Sequence, residues 1–450
     1  MKRNYFALIL IFLSVTLQAQ FGPPVLINLP TDTPSTKQFI RNADVDNDGK
    51  KDILVASGFN NLVRYFHNAG NFTFAAPVLL PGVWSNLSGM EIADLNNDGN
   101  PDMVTIDKNA DKLYWQANNN GVYAPQILIQ DNLTIEAGRI LCSDFNGDGA
   151  TDIVILNHIN VLIFFNDGLG NFSAPQNLLP PSEEGELYDN VVGYFNDDPY
   201  IDIAISDVGF FILLNDGNGN FTKTPGGGGS AISFLLESAD YNNDGLDDIV
   251  MDSNTLIPYQ NSANGFAAVS SFAPNNENYQ TLFSADLDND GDLDLLSEDN
   301  QTSAFFWYEN NNVGSSWVRH TLSMTNMFSS IYGVSAADLD GDGDNDLIRT
   351  SGNGEVAIYE NQMTLKNTEF KNDDLVLVPN PASNNVLVAG TKTVEAIQLE
   401  IYDVSGKKVA AFQDVLTHTR FDISELTAGH YFVKIVNKEG VVFKRLVVAK

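Results

Sequence analysis

The chain has 450 residues, with 58 Asp and Glu against 24 Lys and Arg, for a formal net charge of −34. Such acidity repels phosphate backbones and anionic lipid, which excludes nucleic acid and acidic membrane surfaces as partners. Hydrophobic residues make up 43% of the chain, so it can bury large cores and is not a disordered acidic tail.

The N-terminus reads "MKRNYFALILIFLSVTLQAQ": Lys2 and Arg3, an apolar run over 5–17, then Ala19 before Gln20. This pattern predicts a secretory signal peptide over 1–19, because the run is too short to span a bilayer comfortably. No later run approaches the ~18 apolar residues of a membrane helix, so no transmembrane segment is expected in the mature chain. The single cysteine, Cys142, has no partner within the chain and reads as buried and inert.

From Asp44 onward one nine-residue pattern returns seven times. The copies are "DVDNDGKKD", "DLNNDGNPD", "DFNGDGATD", "YFNDDPYID", "DYNNDGLDD", "DLDNDGDLD" and "DLDGDGDND", starting at Asp44, Asp94, Asp144, Tyr194, Asp240, Asp286 and Asp338. Successive starts lie 50, 50, 50, 46, 46 and 52 residues apart. A short apolar piece precedes each copy and an aliphatic run such as "ILVAS" or "IVIL" follows it. A second run ends near Asn ("LVRYFHN", "VLIFFN", "FFILLN"), then a Gly/Asn turn leads into a last extended piece such as "FAAPVLL". This predicts four short strands per repeat, with no helical periodicity. Repeats of about 50 residues with four strands predict an all-β, seven-bladed β-propeller over 20–363. The seventh copy ends at "EVAIYENQM" without a fourth strand, and "FGPPVL" at 21–26 matches "FAAPVL" at 74–79. The first strand is therefore expected to complete the last blade, leaving no open edge between them.

In the intact copies, oxygen side chains stand at positions 1, 3, 5 and 9, with Gly at 6. Alternation at 1, 3 and 5 aims side chains at one centre, the glycine permits a sharp turn, and the carbonyl at 7 adds a ligand. Hard oxygen donors in this number suit Ca²⁺, as in the first half of an EF-hand loop. No Cys or His lies within the loops for zinc. The expected ligands are Asp44, Asp46, Asp48 and Asp52; Asp94, Asn96, Asp98 and Asp102; Asp144, Asn146, Asp148 and Asp152; Asp240, Asn242, Asp244 and Asp248; Asp286, Asp288, Asp290 and Asp294; and Asp338, Asp340, Asp342 and Asp346. That makes about six Ca²⁺ sites. In the fourth copy Tyr194 and Pro199 replace the first Asp and the Gly, and no ion is expected there.

The repeat units, with "NDGLGNF" and "NDGNGNF" after the acidic loops, resemble the FG-GAP-like (VCBS) repeat family over 21–363. The resemblance implies a calcium-binding seven-bladed propeller related in plan to the integrin α head. After a polar linker over 364–375, residues 376–450 carry nine Lys/Arg and seven Asp/Glu. There "LVPNPASNNVLV", "LEIYDVSGKKV", "FDISELTAGHYFVKI" and "FKRLVVAK" resemble the type A C-terminal sorting domain of type IX secretion. This implies a small β-sandwich recognised by the secretion machinery at the outer membrane and usually cleaved. The protein is then expected to be secreted or held on the outer cell surface.

No "HExxH", "GxSxG" or "GxxxxGK" occurs, and the five histidines are scattered, so no catalytic residue is assigned. "PGGGGS" at 225–230 reads as a flexible loop, and the recurring Asn68, Asn166, Asn215, Asn261, Asn310 and Asn361 as turn residues. The expected function is a binding or adhesion module for glycan or protein. The alternatives are a lyase-like enzyme acting on polysaccharide, or a purely structural surface protein. Connections opposite the acidic loops differ between repeats and carry Trp84, Tyr188, Tyr279, Phe328 and Tyr332. These rings either meet a ligand, Trp84 and Tyr332 first, or seal gaps between blades.

Overall fold

The structure is a computed structural model. It describes residues 21–450 apart from 29–37, 59, 134–138, 158, 181–185, 233–234, 275–278, 300–303, 312–313, 323–330, 352–354, 363–375, 381, 390–396, 404–406, 416–419 and 438–439. The expected signal peptide and the expected linker lie outside the described residues. The described chain is all-β, without a helix, and forms two compact units, Met1–Gln362 and Met363–Lys450.

In the first unit each copy of the pattern joins the first two strands of an antiparallel meander. Sheet one holds Gln38–Ala43, Asp52–Ser57, Leu62–Phe66 and Val78–Leu79. Sheet two holds Leu87–Ala93, Asp102–Asp107, Lys112–Gln116 and Ile127–Gln130. Sheet three holds Arg139–Ser143, Asp152–Leu156, Val161–Phe164 and Gln176–Asn177. Sheet four holds Asn190–Gly193, Asp202–Asn215 and Phe221–Ile232. Sheet five holds Leu236–Ala239, Asp248–Asp252, Leu256–Gln260 and Ala267–Ala268. Sheet six holds Tyr279–Ala285, Asp294–Asp299, Ala304–Asn311 and Ser316–Leu322. Sheet seven holds Ile331–Ala337, Asp346–Ser351 and Glu355–Tyr359, and its outer strand is Val25–Asn28 from the other end of the unit. Val25 pairs with Ile358 and Asn28 with Glu355. The "FGPPVL" segment thus sits where its likeness to "FAAPVL" predicts.

The second strands are β-branched and aliphatic because both their faces are covered; every residue of "DILVAS" is buried. The apolar cores lie between sheets. Val45, Leu54, Trp84 and Met103 join sheets one and two, and Leu95, Ile106 and Ile153 join two and three. Similar clusters fill each later seam, and Ile53, Phe66, Leu339 and Ile348 join sheet seven to sheet one. First strands touch in the same cyclic order, with Gln38–Ala43 meeting both Leu87–Ala93 and Ile331–Ala337.

Sheet four departs from the expected four strands. Its middle element runs 14 residues, yet the N–H of Asn215 donates to Asp202 at 2.8 Å, so the element doubles back on itself. Gly209, at φ +87°, makes the bend; a Cβ there would lie 2.2 Å from the Gly227 carbonyl. The "PGGGGS" tract is a strand, not a loop: Pro225 pairs with Phe211 and Gly227 with Phe210. Its glycines bring backbone flat against the Phe210 and Tyr259 rings, which meet edge-on at 5.2 Å.

The second unit has two sheets. One holds Val376–Val378, Asn385–Ala389 and Arg420–Asp422. The other runs Lys408–Val415, Ile397–Asp403, Gly429–Asn437 and Gly440–Val448 in spatial order. They share one apolar cluster that includes Val386, Val388, Leu399, Ile401, Val433 and Leu446.

Candidate metal centres

Each acidic loop curls around its own first carboxylate. In loop one, Asp44 accepts the N–H of Asp48 at 3.0 Å and of Gly49 at 2.9 Å. Asp94, Asp144 and Asp240 accept the corresponding pair, with the glycine N–H at 2.8–2.9 Å. Asp286 and Asp338 hold their glycines at 3.2 and 3.1 Å. The position-5 carboxylate accepts the N–H of position 7, as from Lys50 to Asp48 at 3.0 Å. Position 4 is left-handed, at φ 55–59° in Asn47, Asn97, Asn243 and Asn289, and is glycine in Gly147 and Gly341. Asn and Gly tolerate that conformation best, so this constraint was also legible in the sequence.

Position 9 is buried in all seven copies. In loop one, Asp52 accepts the N–H of Val45 at 3.1 Å and of Asn68 at 2.7 Å, tying the loop to the end of the third strand. The bond from the third-strand Asn recurs at Asp102, Asp152, Asp202, Asp248, Asp294 and Asp346. Besides being a candidate ligand, this residue staples the fold, which explains why Asp202 persists in the fourth copy. Burial pushes the carboxyls of Asp102 and Asp152 up to about 6, and those of Asp248, Asp294 and Asp346 to about 7; nearby aspartates add to the shift.

Among the described residues, acidic oxygens come together in three of the loops. Oxygens of Asp44, Asp46 and Asp52 lie within 4.8 Å of one another, as do those of Asp286, Asp288 and Asp290, and of Asp338, Asp340 and Asp346. In loops two, three and five the position-3 amides Asn96, Asn146 and Asn242 accept the position-5 N–H at 3.0 Å, so their oxygens face the same centre. Asp286 Oδ1 is buried without a hydrogen-bond partner. An all-oxygen set with such an orphan fits a hard cation. One expectation is corrected. A histidine does reach a loop: His67 Nδ1 lies 2.8 Å from Asp46 Oδ2, because the third strand returns beside the loop. In the fourth copy the Tyr194 N–H goes to Asp247 of loop five at 2.7 Å.

The recurring asparagines do more than turn the chain. Each third-strand Asn sends Nδ2 to the position-2 carbonyl of the preceding sheet's loop. Asn118 reaches Val45, Asn166 Leu95, Asn215 Phe145, Asn261 Phe195, Asn310 Tyr241 and Asn361 Leu287, at 2.7–3.0 Å. Asn68 closes the circuit onto Leu339 at 2.7 Å. The sequence reading missed Asn118, which stands in the run "ANNNG" where neighbouring asparagines mask it.

Of the aromatic candidates, Trp84 is 5% exposed and its Nε1 donates to Thr105 at 3.0 Å, while Tyr279 is 3% exposed. Both rings pack seams between sheets. Tyr188 is half-buried and its hydroxyl donates to Glu186 at 2.7 Å. Phe328 and the Tyr332 side chain lie outside the described residues. Cys142 is half-buried rather than fully buried, and desolvation pushes its thiol well above the ordinary value.

The FG-GAP-like repeat model matches residues 44–105, 240–297 and 286–349, and the secretion system C-terminal sorting domain model matches 376–449. The chain carries FG-GAP-like repeats and a type IX sorting domain. This sorting domain implies interaction with the secretion machinery and export to the cell surface or outside. A search of curated proteins returned no match. Among solved structures, an Agrocybe aegerita lectin recognising non-reducing terminal N-acetylglucosamine matches with TM-score 0.52 at 20% identity, covering 68% of this chain and 92% of its own. BBS1N in complex with ARL6DN matches with TM-score 0.49 at 12% identity, covering 76% and 99%. The lectin likeness shows a propeller-like fold. Among the described residues no helix is long and apolar enough to cross a membrane.

Proposed function

We propose that the FG-GAP-like unit is a seven-bladed calcium-binding propeller, followed by a β-sandwich sorting domain, and that it acts as a secreted or surface-held binding module for glycan. The observation that carries this reading is the contrast between its two faces. On one face the acidic loops and the third-to-fourth-strand turns crowd together: Gly121 abuts Asp46, and Gly168 abuts Asn97. That face repeats its chemistry from sheet to sheet, as a metal-held scaffold requires. The opposite connections differ from one another and leave Val83, Ile159 and Val208 exposed, with half-buried Tyr188 beside Glu186. Function on repeat proteins sits where repeats diverge. The solved lectin lends the substrate class. Tyr188 is the candidate contact among the aromatics, while Trp84 and Tyr279 are assigned to the seams.

Six intact loops hold Ca²⁺ in this reading. At ten times its dissociation constant each independent ion adds about 1.4 kcal/mol, roughly 8 in all. The test is binding of the purified chain to a glycan array in Ca²⁺ and again in EDTA, with melting curves in both. Ca²⁺-dependent binding that Tyr188→Ala weakens tenfold or more supports the proposal. An array without signal refutes the glycan assignment, and a melting curve indifferent to EDTA refutes the calcium assignment.

A further inference from the structure

Loop seven carries one acid beyond the repeating set. Asp338, Asp340, Asp342 and Asp346 occupy positions 1, 3, 5 and 9, and Asp344 stands at position 7, where the calcium reading uses only the carbonyl. The Asp344 side chain is 2% exposed, and its carboxylate meets no N–H or hydroxyl donor, only the carboxyl of Asp342 within hydrogen-bonding reach. Its charged neighbours are Asp342, Asp346 and Asp340, all of its own sign. A buried carboxylate with no donor and acids around it is costly to hold.

Other loops resolve position 7 in ways that show what is missing here. In loop one it is Lys50, whose ammonium lies 2.5 Å from the position-5 carboxylate of Asp48, a cation built into the chain. In loop two, Asn100 accepts Asn47 Nδ2 from the preceding loop at 2.6 Å, and in loop six Asp292 accepts Asn243 Nδ2 at 2.6 Å. The counterpart donor for Asp344 is Asn289 of loop six. Its Nδ2 is buried and has no hydrogen-bond partner either. Beside it, Asn345 Nδ2 donates to the Asp286 carbonyl at 3.0 Å and holds the two loops together. Asp344 and Asn289, on the loops that Asn345 joins, thus each keep polar atoms without a partner of the complementary kind, and the amide, turned over, presents a further acceptor oxygen.

We infer that Asp344 organises an additional divalent-cation position in the seam between loops six and seven, separate from the ion of loop seven itself. A second ion there supplies the positive charge that Lys50 supplies in loop one. The inference rests on the calcium reading of the loops, and its test separates the two.

The test is Ca²⁺ stoichiometry of the full chain after equilibrium dialysis, measured by elemental analysis for wild type, Asp344→Asn, Asp344→Lys and Asp338→Asn. Expected are one ion more than the intact loops in wild type and one fewer than wild type in Asp344→Asn. Asp344→Lys, which copies loop one, should also lose one ion and should resist EDTA better than wild type. Should Asp344→Asn not fold, Asp344→Lys carries the test alone. Unchanged stoichiometry in the folded Asp344 variants, with Asp338→Asn losing an ion, overturns the additional position and leaves the loop sites standing. A wild-type chain that binds no Ca²⁺ overturns both.

Discussion

Replacing Asn68 by Ala cuts the circuit of sheets at the one place where sequence order does not join them. The Asn68 side chain is fully buried; it donates to the Leu339 carbonyl at 2.7 Å and the Lys51 carbonyl at 3.0 Å, and accepts the Gly70 N–H at 2.9 Å. Alanine removes all three bonds and strands two carbonyls away from water. At about 1 kcal/mol per bond, with more for acceptors left unsatisfied, the expected loss is roughly 3 kcal/mol. The internal standard is Asn166→Ala, which removes bonds to Leu95 at 2.7 Å, Thr151 at 2.9 Å and Gly168 at 3.2 Å in a seam whose sheets are adjacent in sequence. Urea unfolding in saturating Ca²⁺ measures both. If the sheets close into a ring, the two variants lose the same stability within about 1 kcal/mol, since their buried bonds match. A near-neutral Asn68→Ala beside a costly Asn166→Ala would mean that sheets seven and one do not hold together in solution, and closure would be refuted.

Gly227→Ala should cost about 1–3 kcal/mol, because the new methyl would sit 2.7 Å from the Tyr259 ring and 2.9 Å from that of Phe210; an unchanged melting temperature would restore the flexible-loop reading. Burial pushes the Glu237 carboxyl up to about 7, against an ordinary 4.5. The folded state therefore favours its protonated form, so this stability is complete below about 4.5 and is lost as pH rises through about 7. In Ca²⁺, wild type should lose more stability than Glu237→Gln between pH 5 and pH 8, by up to about 3 kcal/mol, and parallel melting profiles would contradict this. Mass spectrometry of exported protein should find an N-terminus near Gln20 and a C-terminus between 363 and 377. Secreted chains still ending at Lys450 would count against removal of the sorting domain.

The acidic loops were legible because an oxygen-lined turn needs particular side chains at fixed offsets, and little else satisfies both the geometry and the charge. Val25–Asn28 was legible because its "PVL" core repeats a later fourth strand. The asparagine circuit was not. Asn118 and Val45 stand 73 residues apart, and nothing local to either says that one sheet's strand end meets the next sheet's loop. Trp84 was ambiguous for a different reason: an indole in a divergent connection reads the same whether it stacks on a ligand or seals a seam, and only its burial decides. The glycine tract misled because composition alone signals looseness, whereas glycines also allow a strand to lie flat against aromatic rings.

The pairing of Val25–Asn28 with Glu355–Tyr359 has a consequence for maturation. Phe21 bridges Asn361, and the Gly22 N–H donates to the Glu360 carbonyl at 2.8 Å, so the first and last residues of the unit grip each other. If the leader and the sorting domain are both removed, as the sequence predicts, the two cuts fall on either side of a single joint. A leader peptidase that trimmed past Phe21, or a sorting protease that trimmed before Gln362, would unzip the same sheet. One pair of strands would then set the tolerance of both cuts.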